Sequence, residues 1–330
     1  MTPSVAVVIL NWNGRRHLET YMPSVIAHSG NAVVYLADNA STDDSINYVK
    51  QQFPSVRFII NKENGGFAKG YNDALADLKE DYFVLLNSDV EVTSNWIQPV
   101  IDELEARENV FIAQPKIKSY LEKNKFEYAG AGGGFIDVLG YPFCQGRMFD
   151  HLEEDNGQYD TIREIFWATG ACMFIKASLF KELNGFDERY FAHMEEIDLC
   201  WRAKNIGKSV FYVPTSTVYH LGGGTMQNTN PRKTFLNFRN SLLTLYKNDI
   251  TPYRRLKVLF RLLLDAVAFV KLLFSSGPKH AFAIVKAHFS FYGMKKIRSK
   301  VLQPNPTGIL KSSIVFDYYL KGVRRFSQLK

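Results

Sequence analysis

Cysteine is scarce in this 330-residue chain. Cys144, Cys172 and Cys200 lie far apart, are odd in number and show no CxxC spacing. That excludes a disulfide framework, and a reducing compartment fits best. The opening residues lack the basic lead-in and long apolar core of a targeting segment: Met1-Thr2-Pro3-Ser4 runs straight into Val5–Leu10, which reads as a first strand. No internal repeat and no low-complexity tract occurs. Acidic residues almost vanish from the last hundred positions. Residues 231–330 hold 20 Lys+Arg against 3 Asp+Glu, a net +17, while the remainder holds 20 against 30, a net −10, within an overall +7. A basic surface of this kind needs an anionic partner, nucleic acid or anionic lipid in general terms.

Hydrophobic residues make up 46% of the chain, enough for a full core, and the length suits one large domain with an appendage or two domains. In the first half, short β-branched runs alternate with helical patterns. Val5–Trp12, Val33–Asp38, Val56–Asn61, Tyr82–Asn87 and Val110–Gln114 read as strands, and Tyr71–Lys79 and Asn95–Arg107 as helices between them. Continuous apolar strands alternating with helices imply an α/β, doubly wound, mainly parallel sheet covered on both faces. Ligands of such sheets sit at the carboxyl ends of the strands. Those exits are polar here: Asn11-Trp12-Asn13-Gly14, the segment 38–44, Asn61–Phe67 and Asn87-Ser88-Asp89. Asn, Asp and Gly also favour turns and helix caps, so it is the succession of four such exits on one sheet edge that points to a binding site.

Residues 115–165, with a glycine cluster at 130–134 and acids at 153–155, read as long loops or a lid. Beyond them Phe166–Ile175 is strand-like, Ser178–Asn184 and Glu195–Lys204 are helical, and Ser209–Val213 and Thr217–His220 are strand-like.

The motifs in order are VVILNWNG at Val7–Gly14, LADNASTDDS at Leu36–Ser45, NKENGGFAKGYNDAL at Asn61–Leu75 and LLNSDVEV at Leu85–Val92. They continue with ATGACMFIKASLF at Ala168–Phe180, GFDERYFAHMEEIDLCWR at Gly185–Arg202 and YHLGGGT at Tyr219–Thr225. Over roughly residues 4–245 the chain resembles the family 2 glycosyltransferases of GT-A fold, among them rhamnosyltransferase-like enzymes of bacterial cell-surface polysaccharide synthesis. The resemblance implies a catalytic domain at 1–225 and leaves 226–330 as a basic, helical C-terminal region.

It also implies roles for particular residues. Asp38 would accept hydrogen bonds from a uracil or thymine base, with Asn11, Asn13, Asn39, Asn64, Gly66, Phe67, Gly70, Asn72, Asn87 and Ser88 on the nucleotide-sugar side. Asn87-Ser88-Asp89 stands in the place of the DxD metal motif, with Asn for the first Asp. Asp89 is then the main carboxylate for Mn²⁺ or Mg²⁺, and His220 completes the metal site. Hard oxygen ligands suit those ions on a diphosphate leaving group. The motif E-D-x-x-L-x-x-R reads here Glu195-Glu196-Ile197-Asp198-Leu199 and Arg202. Glu196 takes the register of the usual aspartate base for an inverting transfer, with Asp198 as the rival. Trp167, Thr169, Gly170, Glu195 and Arg202 fall on the acceptor side, although Trp167 suits a core position equally well.

In the basic third, Arg254, Lys257, Arg261 and Asp265 recur at three-to-four spacing through Arg254–Phe274, the mark of an amphipathic helix. Charges interrupt it too often for a membrane span of about 20 apolar residues. With the apolar, aromatic segment Ala281–Gly293 and the run Lys295-Lys296-Ile297-Arg298-Ser299-Lys300, it suits a helix pair lying on anionic lipid. A helical cap on the catalytic domain, or a contact between copies in a homo-oligomer, fits the same pattern.

The function expected is sugar transfer from a UDP- or dTDP-sugar to a hydroxyl of a glycan or lipid-linked acceptor, at the cytoplasmic face of a membrane. A sugar nucleotidyltransferase would need a phosphate-binding glycine loop at the first strand exit, where only Gly14 stands. A catalytically lapsed scaffold is left open by Asn87 and Glu196. The acidic first two thirds argue against a nucleic-acid partner.

Overall fold

The computed structural model describes residues 2–128, 130–222, 229–294 and 306–329. Gly223, Gly224 and Thr225 of the glycine-rich motif, and the run Lys295–Lys300, lie outside the described residues.

The first strands follow the apolar runs: β1 (Val5–Asn11), β2 (Val33–Asp38), β3 (Arg57–Ile60) and β4 (Tyr82–Asn87). They alternate with α1 (Arg15–His28), α2 (Ser45–Gln52) and α3 (Gly66–Leu75). β1 pairs parallel with β2 and β4, and β2 with β3. Every strand of this half therefore delivers its C-terminus to the same edge, as the right-handed βαβ connection dictates.

After β4 come β5 (Val90–Val92), α4 (Gln98–Ala106) and β6 (Val110–Ser119). A small antiparallel group follows, β7 (Gly134–Asp137), β8 (Pro142–Cys144), β9 (Arg147–Met148) and β10 (His151–Leu152). Next are β11 (Arg163–Ile165), β12 (Cys172–Lys176), α5 (Ala177–Glu182), α6 (Glu195–Asn205) and β13 (Ser209–His220). The main sheet runs β11-β13-β6-β12-β4-β1-β2-β3, with β5 paired to β13. β12 lies antiparallel between β4 and β6, and β13 parallel to β6. One apolar cluster packs under α1, α2 and α4, and a larger one on the opposite face under α3, α5, α6 and the C-terminal helices.

Residues 115–165 are not the loops or lid that their glycines suggest. β6 continues to Ser119, and β7 to β10 form a second sheet completed by β14 (Ile309–Leu310), which pairs parallel with β7. The glycines serve close packing. A Cβ on Gly134 would stand 2.1 Å from the Trp167 ring, and one on Gly130, where φ is +103°, 2.5 Å from Thr169. The long strand expected over Phe166–Ile175 is shortened for a related reason. Only Cys172–Lys176 pairs with β4, because the stretch before it crosses over to meet Gly134 through Trp167. Ser209–Val213 and Thr217–His220 are one strand with an irregularity between them.

The C-terminal third forms α7 (Pro231–Asn248), α8 (Arg254–Ser275), α9 (Pro278–Met294) and α10 (Ile314–Tyr319). α8 corrects the expected orientation of its charges. Arg254, Arg261 and Asp265 are buried, Arg261 donating to the Leu139 carbonyl and Ser241 Oγ, and Asp265 pairing with His288. Lys257 pairs with Asp249. The opposite, apolar stripe faces out: Leu256, Leu259, Leu263, Val267, Val270 and Phe274 on α8, and Phe282, Val285, Phe289 and Tyr292 on α9. The spacing of the charges is helical, as the sequence implies, but their partners are groups of neighbouring elements rather than an anionic surface. Among the described residues no helix is long and apolar enough to cross a membrane.

Candidate active site

The polar strand exits meet at one edge. Asn11 ends β1 and Asp38 ends β2, in register. Asn11 Nδ2 donates to Asp38 Oδ1 at 3.0 Å, and the Ser41 amide donates to Asp38 Oδ2 at 2.8 Å. A carboxylate accepts about four hydrogen bonds, so Asp38 is fixed in place with accepting capacity to spare. Asn13, at φ +50°, accepts from the amides of Thr42 at 2.7 Å and Asp43 at 3.3 Å and ties the first exit to the second. Asn39 donates to Asn64 Oδ1 and the Gly66 carbonyl, both at 3.0 Å, and itself accepts from Asn61. Asn61, the first residue of the third polar exit, joins this network and also donates to the Gly70 carbonyl, although no motif role falls to it.

Gly66 opens α3 at φ +76°, and a Cβ there would meet the Phe191 carbonyl at 2.4 Å. The amide of Phe67 donates to that carbonyl at 2.7 Å. Gly70 lies against Asn39 and Leu10, and Gly170 against the Phe67 ring. Asn72, expected on the donor side, is instead engaged elsewhere: it pairs with the backbone of Phe186 in both directions and with Glu188.

Asn87, Ser88 and Asp89 occupy the turn between β4 and β5. β5 pairs with the end of β13 so that Val90 faces His220, and the Leu221 amide donates to the Asp89 carbonyl at 3.0 Å. This brings His220 Nε2 to 3.1 Å from Asp89 Oδ1 and 3.4 Å from Asn87 Nδ2. On the other edge of the ring, Nδ1 lies 3.3 Å from Oε2 of Glu127, a buried carboxylate that no motif drew attention to. Burial opposes charge on the imidazole, but Glu127 and Asp89 outweigh it and raise its pKa to about 10. Burial likewise opposes the charge on Asp89, and His220 still holds its carboxyl below the usual range.

Asp89 and Glu127 face different nitrogens of one ring, Asp89 at Nε2 and Glu127 at Nδ1. Among the described residues, no three His, Cys, Asp or Glu side chains form a complete metal cage. One carboxylate and one imidazole nonetheless fit a divalent ion that takes its remaining ligands from phosphate and water, the usual arrangement for Mg²⁺ on nucleotides.

Glu195 and Glu196 begin α6 immediately after a turn in which Phe191, His193 and Met194 all have positive φ, at 65°, 70° and 75°. Non-glycine residues occupy this region only when their surroundings hold them there. Here Asn240 and Arg239 of α7 hold it through the carbonyls of Arg189, Tyr190, Ala192 and His193. Glu196 is half-buried with Oε2 unpartnered, and burial raises its pKa to about 7. Glu195 is more deeply buried, also with Oε2 unpartnered, and burial together with the neighbouring Glu196 pushes its carboxyl well up. Burial similarly lowers His193 to about 4, with Lys233 adding to the effect.

Asp198 has a different environment. It accepts from Arg202 Nε, Lys247 Nζ and Asn248 Nδ2, each at 2.8 Å, and from the Tyr190 hydroxyl at 3.2 Å. Burial opposes its charge, yet Arg202 and Lys247 keep its carboxyl below the usual range. Arg202 spends its other nitrogens on the carbonyls of Leu183 and Gly185. Trp167 is buried and donates to the Phe135 carbonyl at 2.9 Å. Thr169 is buried, its amide donating to Gln114. Of the residues expected on the acceptor side, then, Trp167 and Arg202 have their donors engaged within the fold, while Glu195 sits beside Glu196.

A parallel nucleotide-type half joined through β4 to a mixed half, with Asp89 at the joint, is the GT-A fold. Two solved structures share it: GalNAc-T7 with UDP, GalNAc and Mn²⁺ (16% identity, TM-score 0.57, covering 90% of this chain and 55% of that one), and mannosyltransferase PcManGT from Pyrobaculum calidifontis in complex with GDP-Man and Mn²⁺ (12%, 0.55, 90% and 89%). In sequence the chain is 28% identical over 239 residues to the N-acetylglucosaminyl-diphospho-decaprenol L-rhamnosyltransferase of Mycobacterium tuberculosis, covering 67% of this chain and 76% of that protein. The family profile of Glycosyl transferase family 2 matches residues 6–183, and the chain belongs to that family.

Proposed function

We propose that this glycosyltransferase inverts the anomeric centre as it moves a sugar from a UDP- or dTDP-sugar to a hydroxyl of a lipid-linked glycan in cell-surface polysaccharide synthesis. The carrying observation is the buried, unpartnered Oε2 of Glu196 within a half-buried side chain, with its pKa near 7, presented by a turn that α7 holds in place. A base needs a free oxygen and a pKa near the working pH. In this reading Glu196 Oε2 takes the proton of the acceptor hydroxyl as that oxygen bonds to the anomeric carbon and the nucleoside diphosphate leaves. Asp198 serves as a structural anchor for α6. Asp38, steadied by Asn11 and Ser41, orients the base, with Asn13, Asn39, Asn64, Gly66, Phe67 and Gly70 shaping the donor side. Asp89 and His220 would hold Mn²⁺ or Mg²⁺, which when bound neutralises charge on the diphosphate. The diphospho-decaprenol acceptor in the name of the mycobacterial relative supports an acceptor of lipid-linked type. The test is transfer by Glu196→Gln set beside its donor affinity. A lapsed scaffold would show no transfer in the unaltered enzyme.

In the same reading, residues 1–225 supply the catalytic chemistry, and the α8–α9 hairpin within 226–330 rests on anionic lipid at the inner face of the cell membrane. Its outward stripe is apolar, and Arg255, Lys271, Lys279 and Lys286 are exposed around it. The one acid of the two helices, Asp265, is buried. Two copies meeting across such a face would oppose like charges, whereas anionic headgroups complement them.

A further inference from the structure

We propose that Glu127 is a positioning residue that fixes the ring of His220, leaving Nε2 to face Asp89 and a divalent cation. The inference rests on the metal-binding reading of Asp89 and His220 and adds a residue to it. The backbone around His220 is clamped on both sides: Tyr120 donates to the His220 carbonyl and Leu221 to that of Asp89, each at 3.0 Å. What the backbone leaves undetermined is the imidazole's rotation and the nitrogen that carries its proton. A neutral imidazole has one N–H, and its partner decides which nitrogen keeps a lone pair for a metal.

Glu127 is placed for that task. Its amide donates to the Ile117 carbonyl of β6 at 3.1 Å, so the residue is tied to the strand beside β13. Its side chain is buried, with Oε2 3.3 Å from Nδ1, on the edge of the ring away from Asp89. The chain beyond His220 makes room for it. Gly222 has φ +73°, and a Cβ there would stand 2.6 Å from Glu127 Oε1. A carboxylate drawn up to Nδ1 keeps the proton on that nitrogen, so that Nε2 is the one that gives up its proton and offers its lone pair when an ion binds. Without that acceptor the ring can turn, or carry its proton on Nε2, and present no donor to the ion.

The experiment is Mn²⁺ titration of the full-length protein without nucleotide, following free Mn²⁺ by electron paramagnetic resonance and imidazole coordination by the ¹⁴N coupling in pulsed spectra. Wild type is expected to bind with a nitrogen coupling that His220→Ala loses. Glu127→Ala should weaken binding about 10–100-fold, with the coupling retained once the site is saturated, and Glu127→Gln, whose amide oxygen still accepts, should lose less. Glu127→Met, close in length and without an acceptor, should match the Ala variant and serves if that variant does not fold. Wild-type affinity in both Ala and Met variants overturns the proposal. So does unchanged affinity in His220→Ala together with loss in the Glu127 variants, which would make Glu127 itself the ligand. Absence of Mn²⁺ binding in wild type, both alone and with UDP added, overturns the metal reading along with it.

Discussion

Asn240 donates a hydrogen bond to the carbonyl of His193 at 2.7 Å, and the same amide reaches the carbonyls of Ala192 at 2.9 Å and Tyr190 at 3.0 Å. One side chain of α7 thus grips three carbonyls of the turn just ahead of Glu195 and Glu196. Replacing it with Leu removes the donor at similar volume and frees a turn with three positive-φ residues. A buried polar network of this kind is worth about 1–3 kcal/mol per lost partner, or about one to two decades in rate if it acts on the reactive geometry. Asn240→Leu is expected to lower kcat by that amount while donor affinity, read by calorimetry, stays within about twofold.

Glu196→Gln should keep donor binding and lose at least about a hundredfold in transfer. The pH profile gives a second check. Burial raises the Glu196 pKa from the ordinary glutamate range to about 7, and a base must be ionised to act. Transfer should therefore rise with pH up to and through about 7 and then level, rather than plateau from pH 5. A profile already flat at pH 5 would assign the proton to another group.

Asp198→Asn is expected to act on stability first. It leaves Lys247 and Arg202 facing a neutral amide in a buried site, and breaking such a pair costs about 3–5 kcal/mol. Thermal unfolding should drop by several degrees, and the residual folded enzyme should keep its pH profile. Loss of transfer at unchanged melting temperature would instead give Asp198 the role assigned to Glu196.

Chelation and Asp89→Ala should each abolish transfer, with activity in the chelated enzyme restored by Mn²⁺ or Mg²⁺. Full activity in both would take the metal out of the mechanism.

For the lipid surface, point substitutions are the right probe. Truncating the chain ahead of α8 would remove β14 from beside β7 and Ile314, whose amide donates to the buried Asp137, and so would damage the fold. Leu263→Asp with Val267→Asp, both on exposed positions, should leave melting unchanged and abolish co-sedimentation with vesicles containing anionic lipid. Undiminished co-sedimentation would reassign the face to another partner.

Much of this was legible in the residues. Strands β1 to β4 follow directly from β-branched runs, and the polar edge where they meet from the amides and acids that end them. Asp89 and His220, 131 positions apart in the chain, meet as the motif order implied. Glu127 and Asn240 were not legible, because each sits in a segment without a motif and acquires meaning only through its partners in space. The glycines at 130–134 misled for a related reason: glycine that permits a loop and glycine that admits a Trp ring look alike in one dimension. The charges of α8 misled in the opposite sense, since their spacing gives the face they share but not whether that face turns toward water or toward Leu139 and Ser241.

α7 packs against α6 and also against α8 and α9. The helix that grips the His193 carbonyl is therefore also the floor on which the exposed hairpin rests. The C-terminal third is therefore no detachable appendage: the turn that leads into Glu195 and Glu196 draws its side-chain hydrogen-bond donors, Arg239 and Asn240, from it.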